Sequence, residues 1–172
     1  MREDWNARAR EDANYYVAFG RRDQDDGEFQ DTAHEVVHGL EWEMRRLPAG
    51  QNPRSRRALE IGCGPGRLLR PMSAHFGEIH GVDISDEMVA RARQRLSHIP
   101  HAHAHVARNS NLEMFASESF DFVYSYAVFQ HIPSRDVVLG YLRETWRVLK
   151  PGGFMRCQIN GLPAAAARYD TW

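Results

Sequence analysis

Leu59-Glu60-Ile61-Gly62-Cys63-Gly64-Pro65-Gly66-Arg67-Leu68-Leu69 is the stretch that decides the fold. Three glycines stand directly behind a short apolar run, Ala58 to Ile61. That is the pattern of a buried strand turning into a loop whose backbone comes close to a ligand. A P-loop needs Lys-Ser or Lys-Thr after its last glycine, and Arg67-Leu68 stands there instead. A dinucleotide loop spaces its glycines G-x-G-x-x-G, the last one letting helix and strand pack closely. Here the spacing is G-x-G-x-G, and the position of the third glycine carries the bulky Arg67. Both phosphate-binding patterns fit poorly.

Two carboxylates narrow the ligand. Asp83 ends the next apolar run, 17 residues after Gly66, close to where an acid bonds ribose hydroxyls in nucleotide-binding sheets. Glu60 lies inside the first strand, where a buried carboxylate is costly unless something cationic faces it. A ligand carrying an ammonium or sulfonium group, and no phosphate at this loop, would supply that partner.

Outward from the loop, the pattern alternates between periods. Helices are expected from Trp5 to Phe19, from about Phe29 to Leu47, from Arg67 to Phe76, and from the cap Ser85 to about Ser97. Another follows Ser134, with Val138, Leu142, Trp146 and Leu149 as its buried stripe. Arg21 to Gly27 reads as a polar break, and Pro48 to Pro53 as a stop before the sheet begins. Strands are expected at Ala58–Ile61, Ile79–Ile84, His103–Ala107, Phe120–Tyr126 and Phe154–Ile159, with Lys150-Pro151-Gly152-Gly153 ending the helix before the last one. Strands alternating with helices indicate an α/β fold with a parallel sheet and right-handed crossovers. Ligands bind such sheets beyond the carboxyl ends of the strands, where strand order reverses.

Bulk properties fit one domain with a real core. The chain has 172 residues, 42% hydrophobic and 26% charged, with a net charge of −1. Arginines interleave with acids, as in Arg8-Ala9-Arg10-Glu11-Asp12, which is a solvated helix face and argues against a nucleic-acid partner. Cys63 and Cys157 have no metal-type spacing, so a reduced, cytoplasmic chain is expected. No apolar run reaches the roughly 18 residues of a membrane span, and the N-terminus has no signal-peptide core.

Four motifs in order, Glu60-Ile-Gly-Cys-Gly-Pro-Gly-Arg67, Gly81-Val-Asp-Ile-Ser-Asp-Glu-Met88, Phe120-Asp-Phe-Val-Tyr-Ser125 and Leu149-Lys-Pro-Gly-Gly-Phe154, resemble the class I S-adenosylmethionine-dependent methyltransferases, most closely their small-molecule branch. The resemblance implies a Rossmann-like, doubly wound, mostly parallel sheet with helices on both faces. It would occupy residues 54–172 behind a helical N-terminal arm, 1–53. The cofactor would be S-adenosyl-L-methionine, the product S-adenosyl-L-homocysteine, and the partner a small-molecule methyl acceptor. Glu60 and the loop through Gly62, Cys63, Gly64 and Gly66 would hold the methionine portion. Asp83 would bind the ribose, Ile84 and Met88 would sandwich the adenine, and Ser125 would face the methionine end. Family members carry Gly-Asp-Ala after the third strand; here Arg108-Asn109-Ser110 stands, and Asn109 keeps a carbonyl acceptor for the adenine amino group. The arm around Tyr15 and Tyr16 would cover the cofactor.

Histidines offer further chemistry. His101, His103 and His105 alternate, which on a strand puts them on one face; edge-strand imidazoles without a metal are expected, because no acidic or thiol ligand shares their spacing. His131 follows the fourth strand and is the candidate general base, with a turn-shaping role as the alternative. The expected chemistry is in-line methyl transfer. A cofactor- or partner-binding module without turnover, and a nicotinamide-dependent oxidoreductase, are the competing readings. The family sheet has seven strands and this sequence supplies five, so the chain reads as trimmed after the fifth, with an open edge through which copies could associate.

Overall fold

The computed structural model describes residues 1–18, 20–49 and 52–159. The expected helix end at Phe19, the break residues Gly50 and Gln51 and the tail Tyr169–Trp172 lie outside them.

Five parallel strands form one sheet: β1 (Arg57–Ile61), β2 (Glu78–Asp83), β3 (Ala102–Val106), β4 (Phe120–Ser125) and β5 (Leu149–Cys157), in the spatial order β3-β2-β1-β4-β5. The order reverses between β1 and β4, so the crevice opens at their carboxyl ends. Among the described residues β3 and β5 are the edges.

Both faces of the sheet are covered, which is why its central strands read as continuous apolar runs. All six residues of β4 are buried. Along β1 the side chains alternate between two cores: Ala58 joins Phe76, Ile79, Phe122 and Tyr124 on one face, and Leu59 and Ile61 join Val123, Phe129 and Val148 on the other. Phe122 anchors the first, stacked 6.1 Å from Phe76 and tilted against Phe154 at 5.1 Å.

Helices α1 (Arg2–Ala18), α2 (Asp26–Asp31), α3 (His34–Met44), α4 (Leu69–Met72), α5 (Asp86–Arg95) and α6 (Arg135–Val148) complete the fold. The expected helix Phe29–Leu47 is two helices, parted at Thr32-Ala33, and α2 starts earlier, on a reciprocal cap between Asp25 and Glu28. The expected helix Arg67–Phe76 shrinks to α4 and a 3₁₀ turn, Ser73–His75. Trp146 is 83% exposed; the buried stripe of α6 is Tyr141, Thr145 and Val148, one residue round from the expected one. Lys150 to Gly153 is the irregular start of β5, spanning a register shift between Phe120↔Leu149 and Phe122↔Phe154. No helix among the described residues is long and apolar enough to cross a membrane.

The arm α1 is broken at Asp12 (φ −164°, ψ 88°), whose carboxylate accepts from the backbone N–H of Tyr15 and Asp23. Its first half docks beside the crevice. The Ser85 hydroxyl donates to Asn6 Oδ1 at 2.6 Å, Arg10 pairs with Glu87 at 3.1 Å and Arg2 donates to the Ala107 carbonyl at 3.1 Å. Ser85 also caps α5, its Oγ accepting from Met88 N at 3.1 Å. Ser85→Ala removes cap and tether together and should cost about 1–2 kcal/mol, read as a lower urea midpoint with unchanged m-value.

Candidate functional site

A cavity of about 320 Å³ lies at the carboxyl ends of β1, β2 and β4, within the size range of small-molecule sites. Met1, Trp5, Tyr16 and Val17 of the arm form one wall; Tyr15 does not line it. Glu60, Gly62, Cys63, Gly64, Asp83, Ile84, Met88, Asn109, Ser110 and His131 all line the cavity, while Gly66 and Ser125 do not.

Asp83 ties the loop to the second strand. Its Oδ2 accepts from Gly64 N at 2.8 Å and its Oδ1 from Ser85 N at 2.9 Å. Burial pushes this carboxyl up from its ordinary pKa, opposed by the backbone N–H groups of Ser85, Gly64 and Ile84. Each oxygen accepts one bond and keeps further lone-pair capacity, which suits a donor such as a sugar hydroxyl.

Glu60 is 3% exposed. Tyr124 donates to its Oε2 at 3.2 Å, and no lysine or arginine pairs with it among the described residues. Burial raises its pKa well above the usual carboxylate range, with the Tyr124 hydrogen bond and the Arg67 charge pulling down and the Asp83 charge pushing up. A buried carboxylate in that state is stabilised by any cation that enters. Cys63 sits between the two acids; burial, then the charges of Asp83 and Glu60, raises its pKa well above the ordinary thiol value, so it stays a thiol and is no nucleophile.

Gly66 and Ser125 act on the frame. At φ +85° Gly66 brings the loop onto α5, where an added Cβ would lie 3.4 Å from Ala92. The Ser125 hydroxyl donates to the Ile61 carbonyl at 2.9 Å, joining the ends of β4 and β1. Met88 packs under the arm with Ala9, Ala13, Trp5 and Val17. Asn109 Oδ1 already accepts from Asn111 N at 3.1 Å, leaving one lone pair, and Tyr141 donates to the Asn109 carbonyl at 3.4 Å. Burial, then the Asp83 charge, pushes Tyr141 up to about 12, so it remains a neutral phenol.

His131 stands edge-on to Trp5, ring centroids 5.5 Å apart. Burial first, then the Arg8 charge, lowers its pKa, so at neutral pH it is an uncharged imidazole with a basic nitrogen. Of the other histidines, His103 and His105 share one face of β3 with His80 of β2, and His101, ahead of β3, lies 3.0 Å from the Ser73 carbonyl. No group of three metal-ligating side chains converges among the described residues.

Sequence reasoning missed Arg67, Tyr126, Trp5, Val17 and Tyr141 as cavity residues. A signal existed for the first: an arginine replacing a loop glycine must put its side chain somewhere, and the loop faces the cavity.

The chain matches the model of a methyltransferase domain over residues 59–157, more than half its length. It is 36% identical over 114 residues to a ubiquinone biosynthesis O-methyltransferase of Ruegeria pomeroyi, covering 64% of this chain and 44% of that protein. It is 34% identical over 113 residues to a malonyl-[acyl-carrier protein] O-methyltransferase of Enterobacter lignolyticus, covering 65% and 41%. The fold superposes on phosphoethanolamine N-methyltransferase 2 of Haemonchus contortus, solved with phosphomonomethylethanolamine and S-adenosylhomocysteine, with a TM-score of 0.63 at 26% identity, over 84% of this chain and 31% of that one. The chain thus spans less than half the length of these relatives. Sheet order, glycine loop and family match agree: the chain belongs to the methyltransferase-domain family, the class I S-adenosylmethionine-dependent methyltransferases.

Proposed function

We propose that the chain binds S-adenosyl-L-methionine and transfers its methyl group to a small-molecule acceptor. The observation that carries this reading is the pair of buried carboxylates, Glu60 and Asp83, bracketing the glycine loop in one cavity. Glu60 suits the cationic amino-acid end and Asp83 the ribose hydroxyls, with Ile84, Met88, Asn109 and Ser110 around the adenine. Neither carboxylate suits a phosphate, which weighs against a nicotinamide dinucleotide. When bound, the cofactor supplies an electrophilic methyl on sulfur, displaced in line by the acceptor nucleophile.

The chain's own residues mainly align the reactants, which is worth roughly 7–11 kcal/mol of barrier. Glycine-loop backbone fixes the cofactor, the arm's Trp5 and Tyr16 exclude water, and neutral His131 accepts the acceptor's proton where the nucleophile carries one. The relatives named above act on different acceptors, so the cofactor end of the site leaves the acceptor open.

Titration of S-adenosylhomocysteine tests the reading. Binding in the micromolar range is expected, weakened by about 1–3 kcal/mol in Asp83→Ala, the scale of lost hydrogen bonds to a charged group. Asp83→Asn, which keeps an acceptor for Gly64 N, should lose less. A chain that melts cooperatively and does not bind would overturn the proposal. Binding without transfer to phenol, amine and carboxylate acceptors would favour the module without turnover.

A further inference from the structure

Arg67 is the only fully buried arginine among the described residues, 7% exposed, and it forms no ion pair among them. Several other arginines at the body of the fold are matched, Arg57 with Glu78 and Arg70 with Asp26, each at 2.8 Å, and Arg147 with Glu144 at 2.7 Å, while the more exposed Arg56 and Arg93 bond only backbone carbonyls. Arg67 spends only Nη1, on the carbonyl and hydroxyl of Thr32 at 2.9 and 3.3 Å. Its Nε is enclosed with no partner, and Nη2 makes no hydrogen bond among the described residues.

This guanidinium lines the cavity, its carbon 5.7 Å from the centre of the Tyr126 ring. Asp83, Ile84, Met88 and Asn109 gather at and beyond the carboxyl ends of β2 and β3; Arg67 follows the glycine loop, near Thr32 and near Tyr126, which follows β4. The nearest acid that feels its charge is Glu60, which is not within ion-pair distance, so a cation held out of water with so distant a counter-charge favours an anion that comes closer. The planar fork keeps Nη2 unspent, a charge-assisted donor for a carboxylate.

We propose that Arg67 builds an anion subsite in this cavity, donating from Nη2 to a carboxylate of the bound small molecules. The inference rests on the proposed methyltransferase reading. The carboxylate has two sources, the amino-acid end of the cofactor and the acceptor, and one experiment separates them.

S-adenosylhomocysteine, 5′-methylthioadenosine and benzoate are titrated into the wild-type chain and Arg67→Gln, benzoate also in the presence of saturating S-adenosylhomocysteine. 5′-Methylthioadenosine keeps adenine, ribose and thioether but has no amino-acid end. If the cofactor supplies the carboxylate, Arg67→Gln weakens S-adenosylhomocysteine about tenfold or more and leaves 5′-methylthioadenosine within about twofold. Arg67→Lys, which keeps the charge and loses the fork, falls between. If the acceptor supplies it, both nucleosides are indifferent to the substitution, and benzoate binds the wild-type complex but not that of Arg67→Gln. Equal behaviour of the two chains toward all three probes overturns the subsite. A purely structural role would weaken the two nucleosides alike, which also overturns it. A folded wild-type chain that binds neither nucleoside sinks the proposed function instead, and the subsite then stands or falls on benzoate alone. Should Arg67→Gln not melt cooperatively, sulfate competition on the wild-type chain at constant ionic strength decides. Displacement of S-adenosylhomocysteine or benzoate, with 5′-methylthioadenosine unmoved, supports the subsite; indifference overturns it.

Discussion

Gly62→Ala is expected to destabilise the fold by about 3 kcal/mol and to lose S-adenosylhomocysteine binding, whereas Gly64→Ala costs about 1 kcal/mol. Both glycines have positive φ, +75° and +50°. An L-residue there costs roughly 1–2 kcal/mol at either position. Their surroundings differ. A Cβ on Gly64 would meet Val17 at 3.4 Å, an ordinary contact with the arm. A Cβ on Gly62 would lie 2.3 Å from Val128 Cγ2, 2.7 Å from Cγ1 and 3.0 Å from Cβ. Val128 is β-branched and stiff, so it cannot step aside by rotating its tip. Overpacking adds roughly 1–3 kcal/mol, and because Val128 lines the cavity the relaxed side chain moves into ligand space.

Urea unfolding of the two variants separates strain from crowding, since the φ cost is shared. For a domain of this size about 3 kcal/mol corresponds to a melting point lower by roughly 6–12 °C. Equal losses in the two variants would show that φ strain alone governs the loop. A Gly62→Ala chain that binds as tightly as wild type would remove the loop from the cofactor site.

Much of this loop was legible because its constraints are local. Glycine spacing, an acid at a strand end and Ser85 ahead of an acidic first turn each state a backbone requirement in one or two residues. What was not legible depended on distant partners. The break at Thr32-Ala33 sits in a sequence that permits helix. Its cause is tertiary: Arg67 takes the Thr32 carbonyl, and the Thr32 hydroxyl turns back to Phe29 O at 2.6 Å. In α6 the apolar residues lie on two adjacent stripes, so periodicity alone could not choose between them; the sheet buries Tyr141, Thr145 and Val148 and leaves Trp146 in water. The Asp25-x-x-Glu28 cap, by contrast, was present and was passed over inside a polar stretch. The orphan character of Arg67 and Glu60 needed coordinates, because sequence shows a charge but not whether its partner is missing.

His80 was likewise unremarked in the sequence, one imidazole within a strand, and its titration is expected to weigh on the stability of this fold. Its own contribution to stability should fall by about 2 kcal/mol between roughly pH 7 and pH 5, and by about 3 kcal/mol in all as the histidine becomes charged. Burial lowers its pKa from 6.5 to about 4, against the raising influence of Glu78, with His105 and Arg57 adding to the fall. Its Nε2 lies 2.8 Å from Glu78 Oε1 and 3.2 Å from Arg57 Nη2, and its Nδ1 lies 3.0 Å from His105 Nε2. The His103, Phe115 and Phe120 rings stand 5.0, 5.2 and 5.7 Å away. Glu78, at the shorter distance, can only accept, so Nε2 carries the proton and Nδ1 accepts from His105; a second proton on His80 sets Nδ1–H against the proton on His105 Nε2 and places a new cation beside the Arg57 guanidinium. The folded pKa lies below the unfolded one, so the native state binds fewer protons and stability is lost as pH drops from about 6.5 toward 4. His105, also lowered, acts in the same direction. Glu60 and Asp83, both raised, act in the opposite one, and the lowered carboxylates Asp26, Glu78 and Glu144 lose their contribution only further into acid. His80→Phe leaves the carboxyls of Glu60 and Asp83 in place and fits the neighbouring phenylalanines, so urea unfolding of this variant against wild type across that window isolates the histidine. Relative to wild type the variant should gain about 2 kcal/mol between pH 7 and pH 5; parallel curves would place the acid sensitivity outside the β2–β3 imidazoles.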